Sequence, residues 1–355
     1  MTKNQYSLLV DLTRLIALVA VACLLTPLPA SAATLDLYGE LTGKAILAPS
    51  ALPLLPNTLD SELPPIKEDA IGFLDKEFSK SGISVIQDGP HFVRLVPSGL
   101  NAELRNAPLR GTQLAASPNQ QLMPAGMVNF PGTDLGQVLS IYSELKNRTV
   151  LRTRLLPSPS IRFKNQCPLT REELAYALET VLALNGILTV DDGPSFVQIV
   201  PIQLQSQVDT RAPIAEPGSK VFDPKKVPSM GFADPTPVQT KLERDLVRWR
   251  KAFFEFIRVN EMRNSSAQRL LELYAGLTDQ KAETSKDYET MPIWFHVTTP
   301  LSKTELLYAI ETTFALNNLA ITPAEDTKIR LGLYVGLGKS RENAAGLESN
   351  PARTR

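Results

Sequence analysis

Two imidazoles, a few carboxylates set beside glycine and two thiols are the groups in this sequence that could do chemistry. His91 and His296 are its only histidines. Acid–base or metal chemistry needs such groups to converge, yet neither histidine has a neighbouring cysteine or a carboxylate cluster at ligand spacing. Both fall on strand positions and read as structural. Asp88 and the pair Asp191-Asp192 could hold a cation, but an acidic residue before glycine in a hairpin is ordinary turn chemistry. No phosphate-cradling glycine loop and no nucleophile elbow occurs. The expectation is a non-enzyme with no catalytic residue, no cofactor and no metal.

Charge points the same way for large partners. The 37 lysines and arginines balance 37 aspartates and glutamates, so no long-range field gathers nucleic acid or an anionic membrane. Trp249 lies among Arg244, Arg248, Arg250 and Lys251, but Glu243, Asp245 and Glu255 interleave, as in a solvated amphipathic segment. With 355 residues, 43% of them hydrophobic, the chain is globular in class and long enough for two or three domains. Its 28 prolines leave room for linkers between them.

Residues 1–32 have the pattern of an export signal. Lys3 and Arg14 precede an apolar run from Leu15 to Leu25, and Ala30-Ser31-Ala32 supplies small residues for cleavage after Ala32. Cys23, after Ala20-Val21-Ala22, faintly resembles a lipidation box, although Leu24 and Leu25 continue the apolar run. Lipid anchoring is the lesser reading. Export implies a periplasmic location and leaves Cys167 as the only thiol, so no intrachain disulfide can form.

What positions these groups is a repeat. Asp88-Gly89-Pro90-His91-Phe92-Val93-Arg94-Leu95-Val96-Pro97 matches Asp192-Gly193-Pro194-Ser195-Phe196-Val197-Gln198-Ile199-Val200-Pro201 at a shift of 104 residues. Pro168-Leu169-Thr170-Arg171 and the following Glu173 to Thr180 match Pro300-Leu301-Ser302-Lys303 and Glu305 to Thr312 at a shift of 132 residues. The expected fold is α+β, with three β-α-β-β-α-β-β units at 33–98, 127–202 and 241–335. Linkers at 99–126 and 203–240 separate them, and a disordered tail covers 336–355.

In the second unit, Met127 to Pro131 reads as a strand, followed by a helix capped by Thr133 or Asp134 and ending near Asn147. Strands Thr149 to Arg154 and Ser160 to Lys164 are expected to pair with each other. Thr170 with Glu173 forms a capping box for a second helix that stops at Asn185-Gly186, and a hairpin follows around Asp192-Gly193. The second helices, Lys67 to Lys80, Thr170 to Leu184 and Ser302 to Leu316, should bury Ala70, Leu74 and Phe78, then Leu174, Leu178 and Leu182, then Leu306, Ile310 and Phe314. The first unit's opening strand would fall at Cys23 to Pro27, inside the signal, leaving an open sheet edge. Ala252 to Met262 should open the third unit.

Ile141-Tyr142-Ser143-Glu144-Leu145, Pro168-Leu169-Thr170, Leu182-Ala183-Leu184-Asn185-Gly186 and Val197-Gln198-Ile199-Val200-Pro201, in this order of elements, resemble the N-zero domain of type II secretion secretins. That fold is related to the signalling domain of TonB-dependent receptors. The resemblance implies a module at the periplasmic entrance of an outer-membrane channel, contacting a secretin or an inner-membrane platform protein. No glycine-rich barrel region follows, so the expectation is a scaffold or adaptor of a type II secretion or type IV pilus-like assembly, not the channel. A ligand-sensing or cell-wall-binding repeat protein is the alternative, and it would show a concave polar pocket shared by the units.

A partner surface is suggested by the second helix. On a wheel of about 100° per residue, Tyr176, Glu179, Thr180 and Ala183 oppose the core row. Tyr308, Glu311, Thr312 and Ala315 repeat them while the core row changes. An outward face held fixed over a changing core suggests a shared contact with a protein partner or a second copy. The first unit has Gly72, Asp75, Lys76 and Ser79 there and should lack the contact.

Overall fold

The computed structural model describes residues 30–53, 63–100, 111, 114, 121–208, 210–213, 221–222, 265–324 and 327–333. The first helix, α1 (Ala30–Thr42), already contains Ala30 to Ala32, the expected cleavage region, in its opening turn. The apolar run before it, the strand expected at Cys23 to Pro27, the Trp249 segment, Ala252 to Met262 and the tail lie outside the described residues.

The chain is mixed α+β. After α1 come β1 (Ala45–Leu47), α2 (Lys67–Lys80), β2 (Ile83–Asp88) and β3 (Phe92–Pro97). Then follow β4 (Asn129–Thr133), α3 (Leu135–Lys146), β5 (Thr149–Arg152), β6 (Ile161–Lys164), α4 (Arg171–Leu184), β7 (Ile187–Asp192) and β8 (Phe196–Pro201). The remaining elements are β9 (Val221–Phe222), β10 (Ser265–Ser266), α5 (Ala267–Leu277), β11 (Lys281–Ala282), the one-turn α6 (Lys286–Glu289), β12 (Pro292–Ile293), β13 (Leu301–Ser302), α7 (Lys303–Leu316), β14 (Leu319–Pro323) and β15 (Lys328–Leu333).

Three sheets of three strands carry the fold, in the orders β1-β3-β2, β5-β8-β7 and β11-β15-β14. In each, a hairpin pairs antiparallel and a short strand joins its second arm in parallel, starting at Ala45↔Phe92, Thr149↔Phe196 and Lys281↔Lys328. A parallel partner needs a crossover, and the connection carrying α2, α4 or α7 supplies it. These helices have local reasons to form. Thr170 with Glu173, and Ser302 with Glu305, close capping boxes, while α2 has Glu68 and Asp69 in its first turn and Lys80 in its last, matching its dipole. Beyond the helix ends, Gly82 (φ 73°), Gly186 (φ 75°) and Asn318 (φ 58°) take the left-handed conformation that glycine and asparagine tolerate. The core rows expected on α2, α4 and α7 are all buried.

One expected pairing is overturned. β5 does not pair with β6: β5 joins β8 in parallel, and β6 pairs antiparallel with β4 through Phe130↔Phe163. Pro157 and Pro159 lie between the two strands, and proline lacks the N–H a ladder needs. The expected linkers also contain ordered pieces. Met123 bridges Leu169, and β9 pairs with β13 through Phe222↔Leu301, both immediately before a capping box.

A tyrosine–carboxylate bond ties one helix to another at three places, α1 to α2, α3 to α4 and α5 to α7. The hydroxyl of Tyr38 donates to Asp75 Oδ1 at 2.6 Å, that of Tyr142 to Glu179 Oε1 at 2.8 Å and that of Tyr274 to Glu311 Oε1 at 2.7 Å, each across 37 residues of chain. Burial foremost, and then the adjacent carboxylate, push all three phenols above their ordinary value of 10.0. The folded state therefore holds protons that the unfolded chain releases from about pH 10 upward. Stability from these groups should be intact below pH 10 and fall as pH rises beyond it. An alkaline titration followed by tyrosinate absorbance and circular dichroism should show a set of phenols ionising only with cooperative unfolding; smooth ionisation of every tyrosine before unfolding would contradict the assignment.

Candidate functional site

Asp88 ends β2, fully buried, at the turn before Gly89. A buried carboxylate must have its acceptor capacity filled, and three segments contribute. Arg94 Nε, from β3, donates to Oδ2 at 2.7 Å. Tyr176 Oη, from α4, donates to the same oxygen at 2.5 Å and accepts from Arg94 Nη2 at 2.5 Å. The backbone N–H of Gly111 donates to Oδ1 at 2.9 Å. A Cβ on Gly111 would lie 2.1 Å from the Asp88 carbonyl oxygen, so this approach requires glycine.

Asp192 repeats the arrangement at the end of β7. It too is fully buried, and it accepts from Gln198 Nε2 at 2.7 Å, from Tyr308 Oη at 2.6 Å and from the Ala212 N–H at 3.0 Å. Burial, and then the bond to Asp192, push the Tyr308 phenol above its ordinary value. The rings continue the parallel: Phe92 packs on Tyr176 and Phe196 on Tyr308, each with centroids 5.6 Å apart.

Two further bonds recur beside each aspartate. The capping-box glutamate has a second function: Glu173 Oε2 accepts from the Thr170 N–H while its Oε1 lies 2.6 Å from His91 Nδ1. Likewise Glu305 Oε2 accepts from the Ser302 N–H and its Oε1 from Ser195 Oγ at 2.6 Å. At the other end of the helix, Asn185 Oδ1 accepts from the Ser50 N–H at 2.9 Å, and Asn317 Oδ1 from the Arg154 N–H at 2.7 Å. Each helix is thus held at its start, middle and end by the preceding sheet.

The residues read as an outward partner surface lie in and beside these junctions. Tyr176 and Thr180 are 6% and 7% exposed, and Thr312 is 8% exposed. Tyr308, Ala183 and Ala315 are partly buried. The tyrosine pair is therefore not an exposed patch: the surface it meets belongs to the same chain. Glu179 and Glu311 serve a different purpose, accepting from Tyr142 and Tyr274 of the neighbouring helix, and Glu179 also takes Lys146 at 3.0 Å. The turn reading of Asp88 and Asp192 missed their burial, although their retention at a shift of 104 residues was a visible signal. Glu173, Asn185 and their counterparts were legible only as helix ends.

The other chemistry-bearing groups are also placed structurally. His296 bridges Val150, and Cys167, partly buried, donates its thiol to the His91 carbonyl at 3.8 Å. Burial raises that thiol, making it a poor nucleophile. Among the described residues no group of three or more histidines, cysteines and carboxylates could hold a metal ion, and no helix is long and apolar enough to cross a membrane. Comparison with protein-family models, curated proteins and solved structures returns no match.

The two aspartates should differ in weight. Asp88→Ala removes the carboxylate facing the buried Arg94 guanidinium and should cost about 3–5 kcal/mol. Asp192→Ala removes an acceptor that takes neutral donors only and should cost about 1–3 kcal/mol. Denaturant unfolding of the two variants measures both; equal losses would mean that Arg94 is not held by Asp88.

Proposed function

We propose that the chain is an exported, non-catalytic scaffold of three copies of one α+β module, similar to the N-zero domains at the entrance of secretion channels, and that it serves a type II secretion or type IV pilus-like assembly in the periplasm. The observation that carries this reading is the twice-built junction. The same three bonds, from tyrosine, glutamate and asparagine of one helix to the preceding sheet, occur at positions related by 104 residues on the sheet side and 132 on the helix side. The tyrosine–carboxylate bond inside each of the three groups supports the same modular division.

An array of this kind spends its polar residues on fixing one module against the next, which suits a spacer or platform better than a catalyst. The Tyr176 and Tyr308 face is occupied, so an outside partner must use other surface. Ile66 and Leu333, 57% and 71% exposed, are apolar positions on the first and third groups.

Photo-cross-linking residues at positions 66 and 333 of the full chain, expressed in its own host, should trap a secretin subunit or an inner-membrane platform protein, and the exported chain should begin at Ala33. Deleting the gene should reduce secretion or pilus assembly. Residence in the cytoplasm with Met1 intact would end the proposal, as would normal secretion in the deletion strain.

A further inference from the structure

Behind the second junction lies a cavity of about 510 Å³, within the size range of small-molecule sites. Arg152, the last residue of β5, and Trp294, just after β12, both line it. The Arg152 guanidinium carbon lies 4.7 Å from the centre of the indole ring, a cation–π contact. That contact does not consume the guanidinium's N–H donors. Among the described residues no carboxylate, carbonyl or hydroxyl bonds to these donors, although the group is mostly removed from water. Burial lowers the Arg152 pKa to about 10, with Asp134 opposing the shift; the group remains a cation at neutral pH, at the cost of lost hydration.

The rest of the lining favours an anion. Arg154 adds a second positive charge, and Asp134 is the one acidic side chain there. One Asp134 oxygen is already committed to the Gln137 N–H at 3.1 Å, as the cap of α3. Ser158 and Ser160 add hydroxyl donors to the lining. The first junction is built differently. Its cavity is about 140 Å³, Ala48 stands 104 residues before Arg152, Arg162 stands 132 before Trp294, and Lys164 is paired with Glu40 at 3.5 Å.

We infer that the Arg152–Trp294 cavity is a binding site for a small oxyanion-bearing ligand, whose carboxylate or phosphate group is taken end-on by the Arg152 fork while the indole holds the guanidinium in place. Planar guanidinium bound to two oxygens of one group is the strongest pairing this side chain makes. The inference does not rest on the scaffold reading and survives its failure.

Trp294 reports on the site. The sequence has two tryptophans, so Trp249→Phe in the full chain leaves Trp294 as the sole indole. Its fluorescence should change saturably on titration with inorganic phosphate or with acetate at constant ionic strength, and not with chloride; whichever anion acts identifies the headgroup. Arg152→Gln should weaken the response at least about 10-fold, the loss expected for one charge-assisted contact, with circular dichroism unchanged. Asp134→Asn keeps the helix cap and should tighten binding by removing the opposing charge. Absence of a saturable response to either anion in the parent chain would overturn the site. So would equal titration of a folded Arg152→Gln variant; should that variant not fold, failure of Asp134→Asn to tighten binding would overturn it.

Discussion

A carboxylate buried at the end of a hairpin strand is the constraint from which the arrangement of this chain follows. Asp88 and Asp192 are fully excluded from solvent, and a charge in that position is tolerable only when every oxygen is bonded. Each aspartate takes one donor from its own hairpin, one backbone N–H from the chain that follows, and one tyrosine hydroxyl from a helix about 90 or more residues further on. Three separate segments must therefore arrive together. An apolar contact would permit sliding between sheet and helix; a shared carboxylate oxygen fixes their register, because displacement of any donor leaves a buried polar group unsatisfied.

Packing follows the same geometry. Side chains alternate across a strand, and β3 uses both of its faces: Val93 and Leu95 join the core beneath α1 and α2, while Phe92 and Val96 join the core beneath α3 and α4. In β8, Val197 and Ile199 point into the second core and Phe196 into the third. A small sheet with helices on one side only would leave its other face to water, and an isolated module of this size buries little surface. Covering that face with a helix from further along the chain makes each of the first two sheets a shared wall, and the polar bonds around Asp88 and Asp192 determine where the helix lands on it.

Local signals in the sequence were enough to give helices α2, α3, α4 and α7, the hairpins at Asp88-Gly89 and Asp192-Gly193 and the core rows, because capping boxes, glycine stops and apolar spacing act within a few residues. The fixed outer face of α4 and α7 was legible as well, since Tyr176 and Tyr308 persist while Leu178 and Leu182 give way to Ile310 and Phe314. What covers it was not. A helical wheel separates a helix's own sheet from everything else, and it cannot distinguish solvent from a neighbouring sheet. The pairing of β5 was lost for a related reason: adjacency favours a hairpin with β6, whereas the stable partner, β8, lies beyond an intervening helix. Gly111 was hidden in a stretch whose composition reads as linker, because its role depends on the closeness of the Asp88 carbonyl and on nothing in its own neighbourhood.

The third sheet shows what the other two need. At the shift of 132 residues, Ala324 stands where Asp192 would be, Lys328 replaces Phe196 and Arg330 replaces Gln198. β15 accordingly alternates: Ile329 and Leu331 are inside, while Lys328 and Arg330 on the other face are exposed. Its alternation of charged and apolar residues is that of a sheet with one wet side, unlike the unbroken burial from Phe92 to Val96 and from Phe196 to Pro201. Among the described residues, this sheet presents neither the acceptor carboxylate nor the aromatic platform of the other two, and its lysine and arginine oppose apolar docking. At the opposite end, α2 carries Gly72 and Asp69 at the places of Tyr176 and Glu173, so it has no hydroxyl to offer an aspartate. The polar residues that join sheet to helix are thus present at β2 with α4 and at β7 with α7, and replaced at the corresponding positions after β14 and in β15 and α2.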